Sequence, residues 1–123
     1  MDTPLDDYKL LIDRFVEQRH DVGAQRILKQ PEWPDTPENR DVNSLITTLS
    51  DPQPAVLAQL LQHARDGGVH DVLACLNEQI ATDGLRLTKN GRELPTEPFG
   101  TELHYDWACR KEGDDWPPKS DNA

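Results

Sequence analysis

Apolar residues return at helical spacing near the start of the chain. Leu5, Tyr8, Leu11, Ile12, Phe15 and Val16 share one face, and the pattern runs to about Arg19. Thr3-Pro4-Leu5-Asp6 supplies a capping hydroxyl, a proline at the first helical position and an acid near the positive end of the dipole. A first helix is therefore expected. Gly23 is read as its break, and Ala24 to Lys29 as a short second helix carrying Ile27 and Leu28. From Gln30 to Asp41 the periodicity is lost, because Pro31, Pro34 and Pro37 each disfavour helical geometry at the preceding residue. Trp33 sits in this loop, either folding it back onto the helices or standing out as an anchor for a partner. Val42 to Leu49 reads as a third short helix, with Asp41 as cap and Leu45, Ile46 and Leu49 turned inward.

The strongest pattern lies between Pro52 and Pro95. Ser50-Asp51-Pro52 is a helix start, and Val56, Leu57, Leu60, Leu61 and Ala64 form one apolar stripe. Gly67-Gly68 reads as a turn, followed by a helix bearing Val69, Val72, Leu73, Leu76 and Ile80 and stopping at Gly84. Two such helices are expected to pack as an antiparallel or angled pair. The period then changes to two over Leu85-Arg86-Leu87-Thr88. Asn90-Gly91 tolerates positive φ at both positions, and Arg92-Glu93-Leu94 returns, which predicts a β-hairpin at about 85–95. Beyond a turn at Glu97–Thr101, a last helix is expected over roughly Glu102 to Glu112, capped by Thr101 and stopped by Gly113. Leu103 and Trp107 would share its buried face; alternation of Leu103, Tyr105 and Trp107 leaves a strand as the competing assignment. The sum is a mainly α domain of about five or six helices with one hairpin, spanning 1–117 with a polar tail at 118–123. The helix-turn-helix-hairpin order has a winged-helix-like outline.

The 123 residues suit one domain, and their formal charge of −10 narrows the function. Phosphate neutralisation by clustered Lys and Arg dominates non-specific nucleic-acid affinity, and this chain lacks that surface overall. In a winged-helix reading the helix after Gly68 would enter the major groove, yet it carries Asp71, Glu78 and Asp83 and no Lys or Arg before Arg86. The basic residues gather instead at Arg86, Lys89 and Arg92 of the hairpin and at Arg110 and Lys111. Their roles are either internal neutralisation against nearby acids or a small site for an acidic ligand or peptide. The Met1 end has neither a basic start nor an apolar core of a leader, and no apolar run reaches the ~20 residues of a membrane span. Cys75 and Cys109 are the two cysteines and are expected to be reduced. These features point to the cytoplasm.

Two stretches carry a resemblance. Arg65-Asp66-Gly67-Gly68-Val69-His70-Asp71-Val72-Leu73 is one. The other runs from Glu97-Pro98-Phe99-Gly100-Thr101-Glu102 through Tyr105-Asp106-Trp107, Arg110 and Gly113-Asp114-Asp115-Trp116-Pro117. Together they resemble a family of short, uncharacterised bacterial proteins, a domain of unknown function. The resemblance covers the C-terminal half well and the first helix loosely. It implies a bacterial, single-domain setting and brings no mechanism.

Motifs for chemistry are few. There is no phosphate-binding glycine loop, nucleophile elbow, H-E-x-x-H or paired C-x-x-C. His63 and His70 with Cys75 and Cys109 lack the short spacings of a zinc site. His104 and Asp106 could serve as acid and base, but their placement along a helix turns them away from a shared substrate. No metal or cofactor is expected. The balance is against an enzyme and toward a protein-binding adaptor, inhibitor or regulator, with another protein as partner rather than a membrane or nucleic acid. Tryptophan and arginine are frequent interface anchors, so Trp33, Arg110 and Trp116 are the candidate contact residues, and Arg86, Lys89, Arg92 and Lys111 the candidates for an acidic ligand. Two alternatives stand beside this reading. One is a small-molecule-binding domain or enzyme with its site between hairpin and last helix. The other is a winged-helix-like transcription-associated protein.

Overall fold

A computed structural model describes residues 2–29 and 33–118. Pro31 and most of the expected tail at 118–123 lie outside the described residues. The described chain is mainly helical: α1 (Pro4–Glu17), α2 (Val22–Lys29), α3 (Arg40–Ile46), α4 (Gln53–Thr82), strands β1 (Thr88–Lys89) and β2 (Arg92–Glu93), then α5 (Leu103–Lys111). Residues Met1–Gln18 and Gly68–Ala123 make one compact unit, and Arg19–Gly67 a second.

The start of α1 is written in local chemistry. The Thr3 hydroxyl accepts the Asp6 N–H at 3.1 Å, and the Asp6 carboxylate accepts the Thr3 N–H at 3.0 Å, a reciprocal capping box. Those two bonds, the backbone one foremost, hold the Asp6 carboxyl below the usual aspartate range. In the first unit, α1 packs on α5. Tyr8, Ile12, Leu73, Ile80, Leu94, Leu103 and Trp107 form its core, with the Trp107 ring 1% exposed. Asn90 (φ 53°) and Gly91 (φ 80°) turn the hairpin, with Thr88 opposite Glu93 and Lys89 opposite Arg92. Its strands are shorter than expected, although the Leu94 N–H still donates to Leu87 C=O at 2.8 Å. α5 is a helix, not a strand. It ends as expected at Gly113, whose φ of 90° lets its own N–H reach Arg110 C=O and the Asp114 N–H reach Cys109 C=O.

The second unit is smaller in its core. Ala24, Ile27, Ile46 and Ala58 are buried there. Gly23 does not break α1; it lies inside α2, and Asp21 caps that helix by accepting the Gly23 N–H at 2.8 Å. α3 begins at Arg40 after a short 3-10 turn headed by Pro37, and only Ile46 of its expected inward residues is fully buried; Leu45 is exposed. A 2.8 Å bond joins Arg19 to Asp66, and Gln62 donates to the Arg19 carbonyl at 2.7 Å.

The main correction concerns Gly67-Gly68. No turn forms there: Gln53–Thr82 is one 30-residue helix. The helix-turn-helix-hairpin unit, and with it the winged-helix outline, is therefore not present. Each interior glycine costs about 1 kcal/mol against alanine. Breaking the helix would also forfeit backbone hydrogen bonds on both sides, and no proline follows to prevent its continuation. The apolar stripe expected over Val56–Ala64 is displaced as well. Ala58 is buried while Val56 and Leu60 are exposed.

Nothing lies within 4 Å of a Cβ built at Gly67 or Gly68. Gly67→Ala and Gly68→Ala should each stabilise the helix by about 0.5–1 kcal/mol. The check is a higher urea midpoint followed by far-UV circular dichroism; a lower midpoint would show that the position needs glycine. Thr3→Ala should cost about 1 kcal/mol at pH 7. Because folding lowers the Asp6 pKa, its contribution is present above the unfolded value and is lost as pH falls through the folded one. The gap between wild type and Thr3→Ala should therefore narrow below about pH 4.

Candidate functional site

The site lies in the first unit, where α5 meets the segment that follows it. Here the sequence at 99–117 folds around one buried carboxylate. Asp106, 4% exposed, accepts the Tyr8 hydroxyl of α1 at 2.5 Å on one oxygen and the Thr101 hydroxyl at 2.5 Å on the other. Both are short hydroxyl–carboxyl hydrogen bonds. Burial first, then the Asp106 contact, raise the Tyr8 pKa far above the ordinary tyrosine value. Thr101 is thus not the cap of α5. The orphan N–H of Leu103 is taken at 2.9 Å by the side-chain oxygen of Asn77, a buried residue of α4.

One turn further along α5, Arg110 grips Asp13 of α1 with two nitrogens, at 2.8 and 3.2 Å, and donates to the Asp114 carbonyl at 2.8 Å. The bond to Asp13 raises the Arg110 pKa. The guanidinium lies 4.9 Å from the Trp116 ring centre, and Phe99 stacks on Trp116 at 5.5 Å. Trp116 also points its indole N–H at Asp13, 3.4 Å away. These contacts close the back of a cleft of about 290 Å³. Phe99, Thr101, Tyr105, Asp106, Cys109, Arg110, Asp114, Asp115, Trp116 and Pro117 line it. Tyr105 stands at its rim, 55% exposed, and contact with Cys109 raises its pKa.

The structure brings Arg110 and Trp116 together and places Trp33 in the other unit. There Trp33 exchanges two hydrogen bonds with Asn43, at 2.7 and 3.0 Å, and its ring lies against Gly23. The hairpin cations meet acids of the same unit. Lys89 and Arg92 reach the buried Asp7 at 3.4 and 3.5 Å, and Arg86 lies 3.7 Å from Glu93. Lys111 pairs with Glu112 at 3.2 Å and sits over the Trp107 ring. A pocket between hairpin and α5, bounded by Leu87, Leu94 and Leu103, holds about 10 Å³, room for a single water.

His104 Nε2 lies 2.9 Å from Glu102, and its ring meets that of His70 edge-on at 5.1 Å. Among the described residues no three His, Cys, Asp or Glu side chains converge on a metal position, and both cysteines are free. No helix among them is long and apolar enough to cross a membrane. Sequence reasoning missed Asp106, Thr101 and Tyr8 as a set, since a contact spanning 98 positions leaves no periodic signal.

With this geometry in hand, the comparison with protein families is decisive on kinship. The chain belongs to the family of unknown function DUF6547, which matches residues 1–118. The match takes in both units and the whole cleft segment to Pro117. No curated protein and no solved structure matches the chain.

Tyr8→Phe removes one of the two hydroxyls on a buried carboxylate and should cost about 2 kcal/mol in chemical denaturation at pH 7. A raised tyrosine pKa means stability that is present below the unfolded value and lost as pH rises through the folded one. Wild type should therefore weaken above about pH 10, with Tyr8 ionising only on unfolding, as read by absorbance at alkaline pH. The Phe variant should show a smaller alkaline loss.

Proposed function

We propose that this member of DUF6547 is a non-enzymatic binding module that presents the α5 cleft to a partner protein. The observation that carries the reading is the cleft itself. A tryptophan–arginine stack anchored on Asp13 builds its wall, and an exposed tyrosine forms its rim. Interface anchors are enriched in these three residue types, and an anchor held rigid before binding loses less entropy on association. The lining favours binding over turnover. It contains Cys109 but no histidine, the side chain that most often serves as general base.

The reading is tested with the full chain as immobilised bait in lysate of its own host, at moderate salt. Wild type should retain one protein in stoichiometric amount. Trp116→Ala and Tyr105→Ala, each shown folded by circular dichroism, should lose it. A partner held undiminished by both variants would refute the cleft as the contact surface. No partner at all, with a thermal shift on adding small metabolites, would refute the protein-binding reading.

A further inference from the structure

The chemistry of the cleft specifies what enters it. Three of its lining residues are aspartates, Asp106, Asp114 and Asp115, against a single cation, Arg110. That cation is already committed: both of its contacts to Asp13 and its bond to the Asp114 carbonyl use the guanidinium donors, and its flat face covers Trp116. Little of its charge is left for an anion. Asp106 has both oxygens engaged as well, but by neutral groups. It is more than nine-tenths buried, it faces the cleft, and its partners are two neutral hydroxyls; among the described residues no Lys, Arg or His lies within ion-pair distance of it. A buried carboxylate without a countercharge is costly, and its field is strong because little solvent screens it.

Size narrows the choice further. About 290 Å³ falls at the lower edge of ordinary ligand pockets, enough for one long side chain and small for a nucleotide or a larger cofactor. The apolar edges of Phe99, Trp116 and Pro117 suit an aliphatic stem, and the carboxylates suit a charged head. Resting on the binding-module reading, we propose that the cleft accepts a lysine or arginine side chain from a basic segment of the partner. The head pairs with Asp106 and Asp115, and the stem lies along Trp116. The chain's charge of −10 draws such a segment in from a distance.

The probe is a short glycine–serine peptide with one central lysine, its arginine counterpart and its norleucine counterpart. Each is titrated into the isotope-labelled full chain, and the Trp116 indole and Thr101 amide signals are followed. The lysine and arginine peptides should shift both signals to saturation, and the norleucine peptide should bind at least about tenfold more weakly, as expected for losing a charge-assisted hydrogen bond. Asp106→Asn should weaken the lysine peptide by a similar factor. Asp115→Asn, an exposed change that leaves the core untouched, should weaken it several-fold if Asp106→Asn does not fold. Equal binding of the norleucine peptide would overturn the proposal. So would shifts spread evenly over the acidic surface and indifferent to both variants. If the host lysate yields a partner that Trp116→Ala loses while no cationic peptide binds, the binding module stands and this assignment of its ligand falls.

Discussion

The buried Asp106 carboxylate is the interaction on which the first unit depends. Its two oxygens draw Tyr8 from α1 and Thr101 from the turn before α5 to a single point. An isolated carboxylate at that depth would be strongly unfavourable, so the hydroxyls must be in place whenever the unit is folded. The hydrophobic core around Trp107 and Ile12 is non-directional and would tolerate small shifts of α1 along α5. The hydrogen bonds do not, because they fail within a few tenths of an ångström or tens of degrees. Arg110 and Asp13 repeat the same link further along the two helices and carry Trp116 with them. The cleft wall is thus a by-product of how α1 is registered on α5.

Much of the fold was legible because its signals are local. Thr3 and Asp6 close a capping box within four residues, Asn90-Gly91 turns the hairpin, and Gly113 ends α5 by turning left-handed. Each of these is decided by neighbours in sequence. Gly67-Gly68 misled for the converse reason: glycine permits a turn but does not compel one. Here roughly 2 kcal/mol of propensity was outweighed by a helix continuing on both sides. Leu60 and Val72 likewise fit helical stripes by spacing but stand exposed, since the packed side of α4 is chosen by tertiary contacts. Of the candidate site, Trp116 and Arg110 were identified by residue type. Asp106 reads from the sequence as a maker of structural hydrogen bonds or a solvent-facing acid, with catalysis the weaker reading, but its joining to Tyr8 across 98 positions leaves no local signal. Thr101 was assigned to a cap that Asn77 of α4 supplies instead.

Charge is distributed with the same logic. The hairpin cations and Lys111 lie beside acids of their own unit, which leaves the remaining carboxylates in surplus. That surplus meets concave, partly apolar surface at the α5 cleft, where a buried carboxylate has no cation at ion-pair distance among the described residues. Exposed acids elsewhere are screened by water and salt and contribute little individually. The cleft differs from them through burial rather than through the number of its acids.

The claim that Asp106 holds α1 against α5 is tested most directly by a double-mutant cycle in equilibrium unfolding. The cycle compares Tyr8→Phe, Asp106→Ala and the double variant with wild type. If the two side chains act as one tie, the double variant should lose less than the sum of the single losses, with a coupling of about 1 kcal/mol or more. Strict additivity would contradict the account, for it would mean that each residue stabilises the unit through separate contacts.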